Sequence, residues 1–185
     1  MVDSITGETK EKMEKSIEAL KQHFKKIRTG RASIDMLDGI KVNYYGTPTP
    51  LNQVGNISTP DAKTIAIQPW EKSLISEIEK AILASNLGIT PQNDGNLVRL
   101  SVPAVTEQRR KELAKECKVV SEEIKVAIRN VRKDSNEHIK KAEKNKELSE
   151  DLSKDAQDDV QKITDSYIAK VDELLVVKEK EVLNG

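Results

Sequence analysis

Three stretches of the sequence carry apolar residues at alternating spacings of three and four, the pattern of a helix with one apolar side. None of these helices can bury its single stripe alone, so we expect the three to pack together as an antiparallel bundle. The predicted bundle comprises residues 1–30 and 104–185. Its apolar stripes are Met13, Ile17, Leu20, Phe24 and Ile27; Leu113, Cys117, Val120, Ile124, Ala127 and Val131; and Leu152, Ala156, Val160, Ile163, Tyr167, Val171 and Leu174. The first helix should end near residues 29–30, and Ser149 should cap the third.

The segment between the first two helices has a different pattern. Short strand-like runs cover residues 40–45, 54–58, 64–68 and 97–102, residues 46–50 resemble a turn, and Ile75, Ile78 and Ile82 indicate one short helix. Residues 31–103 are therefore predicted to form an inserted β/α/β domain, which makes the chain a two-domain α+β protein. The connections at 29–33 and 102–105 suggest a hinge, with rigid docking as the competing interpretation. The candidate hinge residues are Gly30, Ala32, Ser33, Pro103 and Ala104.

The second helix carries a basic stripe. Its members are Lys111, Lys115, Lys118, Lys125, Arg129 and Arg132, and only Glu122 interrupts the row. The whole chain is neutral, with 31 basic and 31 acidic residues, so the charge is segregated rather than in excess. The stripe lies about 200° around the helix from the apolar stripe and extends about 32 Å, which is enough to follow several phosphates. A solvated helix face is the plain alternative, but such faces ordinarily mix both signs.

Within this region we expect arginines to make the sharpest contacts with RNA or another polyanion, because a guanidinium offers a planar fork to phosphate. Arg28 and Arg31, at the end of the first helix, either touch RNA or only cap that helix. The candidate RNA-binding residues are Arg132, Arg129, Lys133, Lys125, Lys118, Arg110, Lys111, Arg31 and Arg28.

The sequence gives little support for catalysis or for a cofactor. It has no phosphate-binding or dinucleotide-binding glycine pattern, and neither His23 nor His138 has a partner at metal-ligand spacing. The single cysteine, Cys117, lies on an apolar stripe and is expected to be a buried apolar residue. Trp70 is predicted to be core, and Tyr44 and Tyr45 to pack as strand residues. With no apolar run long enough to span a membrane and no secretory signal, we expect a cytoplasmic monomer without metal or cofactor.

Several motifs in a fixed order resemble those of bacterial-type ribosome recycling factors over nearly the whole chain. The resemblance implies an L shape the size of a tRNA, binding to large-subunit ribosomal RNA, and subunit splitting with elongation factor G as the GTPase. Ile34 and Lys133 depart from the family pattern, which usually has proline and arginine there. The matching segments are 26–33 (KIRTGRAS), 44–51 (YYGTPTPL), 79–82 (EKAI), 85–88 (SNLG), 106–111 (TEQRRK), 127–134 (AIRNVRKD) and 157–162 (QDDVQK).

Two other interpretations of the chain remain open at this stage. A coiled-coil scaffold or chaperone would bind proteins through the bundle, with little sensitivity to salt. A small-molecule enzyme in the inserted domain would require a deep pocket with shifted titratable groups. Ribosome recycling instead predicts binding that weakens steeply as salt rises.

Overall fold

The computed structural model describes residues 1–184, which divide into two compact units, 1–27 with 108–184 and 28–107. The three long helices make up the first unit, and the predicted α+β class with a three-helix bundle is confirmed. The helices are α1 (Val2–Lys26), α2 (Ile75–Ala84), α3 (Glu107–Lys144) and α4 (Glu150–Asn184). The strands are β1 (Lys41–Tyr44), β2 (Thr47–Pro50), β3 (Gly55–Asp61), β4 (Thr64–Pro69), β5 (Gln92–Asn93) and β6 (Val98–Ser101).

The helix ends follow local chemistry. Ser149 accepts a hydrogen bond from the Leu152 backbone N–H at 3.2 Å, which confirms the predicted cap of α4. The first helix ends at Lys26, three residues before the predicted end. Ile27 already has an extended backbone there, and the left-handed residue Gly30, with φ +77°, follows three positions later. Gly30 therefore bends the connection rather than capping α1.

The second unit, residues 28–107, holds an antiparallel sheet in the order β3-β4-β6-β5 and a separate β1–β2 hairpin. The prediction that residues 46–50 form only a turn is wrong, because Thr47 already pairs with Tyr44 at the start of β2. The turn consists of Tyr45 and Gly46, whose φ angles of +48° and +82° suit a tight hairpin. The short helix α2 covers an apolar core that includes Ile65, Ile67, Ile78, Ile82, Val98 and Leu100.

Two aromatic predictions for this unit fail. Trp70 is 70% exposed instead of belonging to the core, because β4 ends at Pro69 and Trp70 lies just beyond the sheet. Tyr45 is 81% exposed at the hairpin turn, while Tyr44 is partly buried against the core. The hydroxyls of both tyrosines donate to the Glu71 carboxylate, at 3.3 Å and 3.0 Å.

The bundle buries the predicted α1 stripe as expected, but the predicted heptad pattern in α3 and the predicted apolar face of α4 are each wrong in detail. In α3, Ile128 is fully buried whereas the predicted neighbour Ala127 is only partly buried. In α4, Ser153 and Thr164 are buried where Leu152 and Ile163 were predicted. Some buried positions recur every eleven residues, as expected for a straight helix, because an ideal helix drifts about 20° per heptad. These rows are Cys117, Ile128 and Ile139 in α3, and Val160, Val171 and Val182 in α4. Other buried positions keep a spacing of seven, as do Ser121, Ile128, Ser135 and Ala142 in α3.

Candidate nucleic-acid interface

The basic stripe lies on α3, but not all of it faces solvent. A row spaced by seven residues drifts about 20° per heptad around a straight helix, so the stripe turns toward α4 as it approaches the C-terminal half of α3. The side chain of Lys125 is only 13% exposed, and Arg132 is half-buried. The expectation that the entire stripe points away from the core is therefore wrong for these two residues.

Two of the stripe's lysines form ion pairs with α4. Lys125 Nζ lies 2.5 Å from Asp172 Oδ1, and Lys118 Nζ lies 3.8 Å from Glu179 Oε1. Each step of seven residues along α3 matches a step of seven in the opposite direction along α4, as expected for antiparallel neighbours. The hydrogen bond that Lys125 donates to Asp172 raises the pKa of Lys125 above its ordinary value. These two charges are therefore partly neutralised within the bundle.

Arg132 occupies the next position in this series and meets a neutral partner. Its Nη1 donates to Gln161 Oε1 at 3.3 Å, and Gln161 Nε2 in turn donates to Asp165 Oδ1 at 2.9 Å. Within residues 1–184, no ion pair to Arg132 is formed. The arginine is thus held by a hydrogen bond while its positive charge is kept.

Arg129 and Lys133 complete a compact group of cations with Arg132. Both are exposed, and in the described part of the chain neither has an ion-pair partner. Their spacings of three and one from Arg132 place all three side chains on neighbouring turns at one flank of α3. This group, Arg129, Arg132 and Lys133, is here called the α3 cation cluster.

The remaining candidates occupy different surroundings. Lys111 is exposed near the start of α3, and Arg110 is half-buried with Nη1 donating to the Leu183 carbonyl at 3.3 Å. Arg31 is exposed in the other unit. Arg28 donates to the Leu87 carbonyl at 2.7 Å and to the Asn86 carbonyl at 3.2 Å, so it binds the chain that follows α2. Arg28 has a structural role that the sequence did not reveal.

The candidate hinge residues lie beside two hydrogen bonds. The Ala32 N–H donates to Ala62 O and the Val102 N–H donates to Lys63 O, both at 2.8 Å. Both connections are thus tied to the turn between β3 and β4. A Cβ placed on Gly30 would lie 2.9 Å from Val105 Cγ2, so the two connections pass close to each other there.

Other candidate hinge residues differ in their surroundings. Ser33 accepts a hydrogen bond from the Asp35 N–H at 3.3 Å and thereby caps a short 3₁₀ turn. Pro103 and Ala104, on the returning connection, are exposed.

The α4 side of this surface was not predicted from the sequence. Asp172 and Glu179 are spaced by seven, as are Lys125 and Lys118, the cations they face, so the same count applied to α4 would have found them. Gln161 gave no such signal, because a glutamine on an exposed helix is ordinary. No group of three or more possible metal ligands, and no helix long and apolar enough to cross a membrane, occurs among residues 1–184.

These features define a class of protein: a three-helix bundle with a cationic flank and a β-sheet unit inserted after its first helix. Comparison with known proteins identifies the family within this class. The ribosome recycling factor family model matches residues 20–183, and the chain belongs to that family.

The relatives match over nearly their full length. The ribosome-recycling factor of Nitratidesulfovibrio vulgaris (strain DP4) is 54% identical over 183 residues, covering 99% of this chain and 98% of the relative. That of Sulfurovum sp. (strain NBC37-1) is also 54% identical, with 99% of both chains covered.

Two solved structures of ribosome recycling factors share the fold. A solution structure has a TM-score of 0.81 at 38% identity and covers 100% of this chain and 98% of its own. The second is the T. thermophilus ribosome recycling factor, which is bound together with E. coli elongation factor G to the E. coli post-termination complex. It has a TM-score of 0.67 at 42% identity, with 99% of both chains covered.

Proposed function

We propose that this protein recycles ribosomes after translation termination. It binds the post-termination ribosome and, with elongation factor G and GTP hydrolysis by that partner, promotes subunit splitting and release from mRNA. The carrying observation is the full-length match to a recycling factor placed with elongation factor G on a post-termination complex. The chain acts as a binding factor rather than an enzyme, and any energy-driven step comes from the GTPase.

The α3 cation cluster is the proposed centre of contact with large-subunit RNA. Arg129 and Lys133 are exposed, and Arg132 keeps its charge beside a neutral glutamine. Guanidinium groups give bidentate contacts to phosphate, so Arg129 and Arg132 are assigned the main role. Lys118 and Lys125 contribute less, because their charges are paired with carboxylates on α4.

The other basic candidates are assigned smaller roles in RNA binding. Lys111 and Arg110 extend the surface toward the start of α3, and Arg31 adds charge from the other unit. Arg28 is assigned to holding the Asn86–Leu87 carbonyls rather than RNA, because its guanidinium already donates to both.

A subunit-splitting assay with elongation factor G and GTP tests this proposal. Arg132→Ala should slow splitting and weaken binding to the large subunit, and should make the plot of log affinity against log salt shallower by about one. Lys170→Ala is the matched control, since Lys170 is an exposed α4 cation whose Nζ lies 3.9 Å from Glu14 on α1. Thermal unfolding of both variants should stay close to wild type.

Three outcomes would decide against the proposal. Normal splitting by Arg132→Ala would remove the assigned contact, and equal defects in Arg132→Ala and Lys170→Ala would show that only total charge matters. Binding that does not respond to salt would favour the alternative, a coiled-coil scaffold that holds other proteins.

We also propose a hinge in the two connections between the units. Because Ala32 and Val102 are hydrogen-bonded to the β3–β4 turn, the flexing residues are assigned to the bundle side of those bonds, at 29–31 and 103–105. Gly30 is the key residue, since its φ of +77° is strained for any residue with a Cβ.

The hinge can be tested by distance measurements between dyes at Lys10 and Ser73, which are exposed residues of the two units. Gly30→Ala should narrow the distance distribution and slow splitting. The control is Gly7→Ala in α1, where an added Cβ meets nothing within 4 Å. An unchanged distribution in Gly30→Ala would refute a hinge at this residue.

A further inference from the structure

Three polar contacts join α3 to α4 along one edge of the bundle. The first two are ion pairs, and the third is a hydrogen bond to a neutral side chain. Lys118 faces Glu179 and Lys125 faces Asp172, so the first two contacts join opposite charges. Arg132, seven residues further along α3, donates instead to the neutral amide of Gln161. The cation at the third position is therefore held without being neutralised.

The amide of Gln161 is fixed in one orientation by its second neighbour. Its Nε2 donates to Asp165 Oδ1 at 2.9 Å, which leaves Oε1 as the group that faces Arg132. The opposite orientation would set NH₂ against guanidinium and oxygen against carboxylate, and neither pair contains both a donor and an acceptor. Asp165 thus acts on Arg132 through the glutamine.

The contact uses little of the donor capacity of the arginine. A guanidinium has five N–H donors, and Gln161 accepts from Nη1 only. The other donors stay available for a phosphate. A carboxylate at position 161 would instead compete with phosphate for the same fork and would cancel the charge.

We propose that Gln161, oriented by Asp165, is a positioning residue for Arg132. It holds the guanidinium at the α3–α4 edge and leaves the charge free for RNA. The inference rests on the proposed contact between the α3 cation cluster and ribosomal RNA, and it extends that contact to residues on α4.

Gln161→Glu is the main test, measured as binding to purified large subunits over a range of salt. The new carboxylate should pair with Arg132, weaken binding about tenfold and make the salt plot shallower by about one. Thermal unfolding should stay close to wild type, because the pair with Arg132 offsets the repulsion between the new carboxylate and Asp165. A residue that serves folding alone would not change the salt plot in a stable variant. Gln157→Glu is the control, because it adds the same charge one turn earlier, where the amide donates to Ser153 Oγ.

Gln161→Met separates the hydrogen bond from the charge. Methionine keeps much of the side chain's length but accepts no comparable hydrogen bond, so Arg132 loses its anchor and keeps its charge. Affinity should fall by a smaller factor, while the salt dependence should match wild type. Affinity equal to wild type in this variant would overturn the positioning role.

The Arg132→Ala background distinguishes this inference from the function on which it rests. With alanine at 132, Gln161→Glu should cost no more than Gln157→Glu. If Arg132→Ala alone leaves binding intact, the RNA contact itself fails. If Arg132→Ala weakens binding but Gln161→Glu and Gln157→Glu behave alike in the otherwise wild-type protein, the RNA contact survives and the positioning role is overturned.

Discussion

The bundle and the β unit bury different kinds of residue. The core of the β unit consists of aliphatic side chains from the sheet, α2 and the flanking turns, and no polar or charged side chain is buried among residues 28–107. The bundle interior mixes apolar side chains with hydroxyl residues. These buried hydroxyl residues are Thr9, Ser121, Ser135, Ser153 and Thr164.

Both interiors hold large apolar side chains, since Met13 and Leu20 of the bundle are as fully buried as Ile65 of the sheet. The bundle differs because it also buries small hydroxyl residues. A hydroxyl is tolerated there because it can bond to the carbonyl one turn earlier, as Thr164 does with Val160 at 2.7 Å. The β unit should therefore depend mainly on aliphatic packing, whereas hydroxyl contacts should add to the stability of the bundle.

Ile67→Ala should have the largest effect on stability. Ile67 is fully buried at the centre of β4, and its truncation should cost the β unit about 2–5 kcal/mol. Urea unfolding should be followed by the fluorescence of Trp70, the only tryptophan, and by circular dichroism at 222 nm, which reports mainly the long helices. We expect the fluorescence transition to move further than the dichroism transition.

The control for Ile67→Ala is Leu83→Ala in α2, where the leucine is 62% exposed and its loss should have little effect. Equal shifts of both signals in Ile67→Ala would contradict the comparison, because they would mean that the two units unfold as one.

The pair Thr9 and Ser135 should show an intermediate effect in the bundle. Their oxygens lie 2.6 Å apart, and each also lies near the carbonyl one turn earlier, at Ile5 and Val131. The two hydroxyls have one proton each, but there are three oxygen–oxygen contacts, two to backbone carbonyls and one between the hydroxyls. The contact between Thr9 and Ser135 is a hydrogen bond only when one of the two protons lies between their oxygens. Thr9→Val and Ser135→Ala should each cost about 1 kcal/mol, and the double variant less than the sum of the two.

The measurement is a double-mutant cycle from urea unfolding followed by circular dichroism. Thr6→Val in α1 is a suitable control, because the Thr6 hydroxyl bonds only within its own helix. Strict additivity of Thr9→Val and Ser135→Ala would show that the contact between the helices contributes nothing.

The same contrast explains which features were predictable from the sequence. Strong periodicity revealed the three long helices, the α2 helix and most of the sheet strands, because apolar spacing reports burial directly. Buried hydroxyls gave no apolar signal, so Ser153 and Thr164 were missed and Leu152 was wrongly placed in the core. The same reliance on seven-residue spacing led to the expectation that the whole basic stripe of α3 stays opposite the core, which is wrong for Lys125 and Arg132.

Site residues were predictable only as far as charge reveals them. The α3 cations were visible as a row of one sign, but their pairing with Asp172 and Glu179 depends on the register between two helices. Likewise, nothing local to Arg28 shows that it binds carbonyls 58 and 59 residues further along the chain. Contacts of this kind depend on tertiary structure, and spacing within one element carries no information about them.

Replacing Lys125 should have a smaller effect on stability than Ile67→Ala or the substitutions at Thr9 and Ser135. Its partner Asp172 is half exposed, so water stabilises the carboxylate when the lysine is lost, and Lys125→Met should cost less than about 1 kcal/mol at neutral pH. Because the folded pKa of Lys125 is raised, the contribution is fully present below the unfolded pKa of about 10.4 and is lost as pH rises through the folded value. Wild type should therefore lose more stability than Lys125→Met above about pH 10.4. Parallel pH profiles for the two proteins would show that the ion pair contributes nothing to folding.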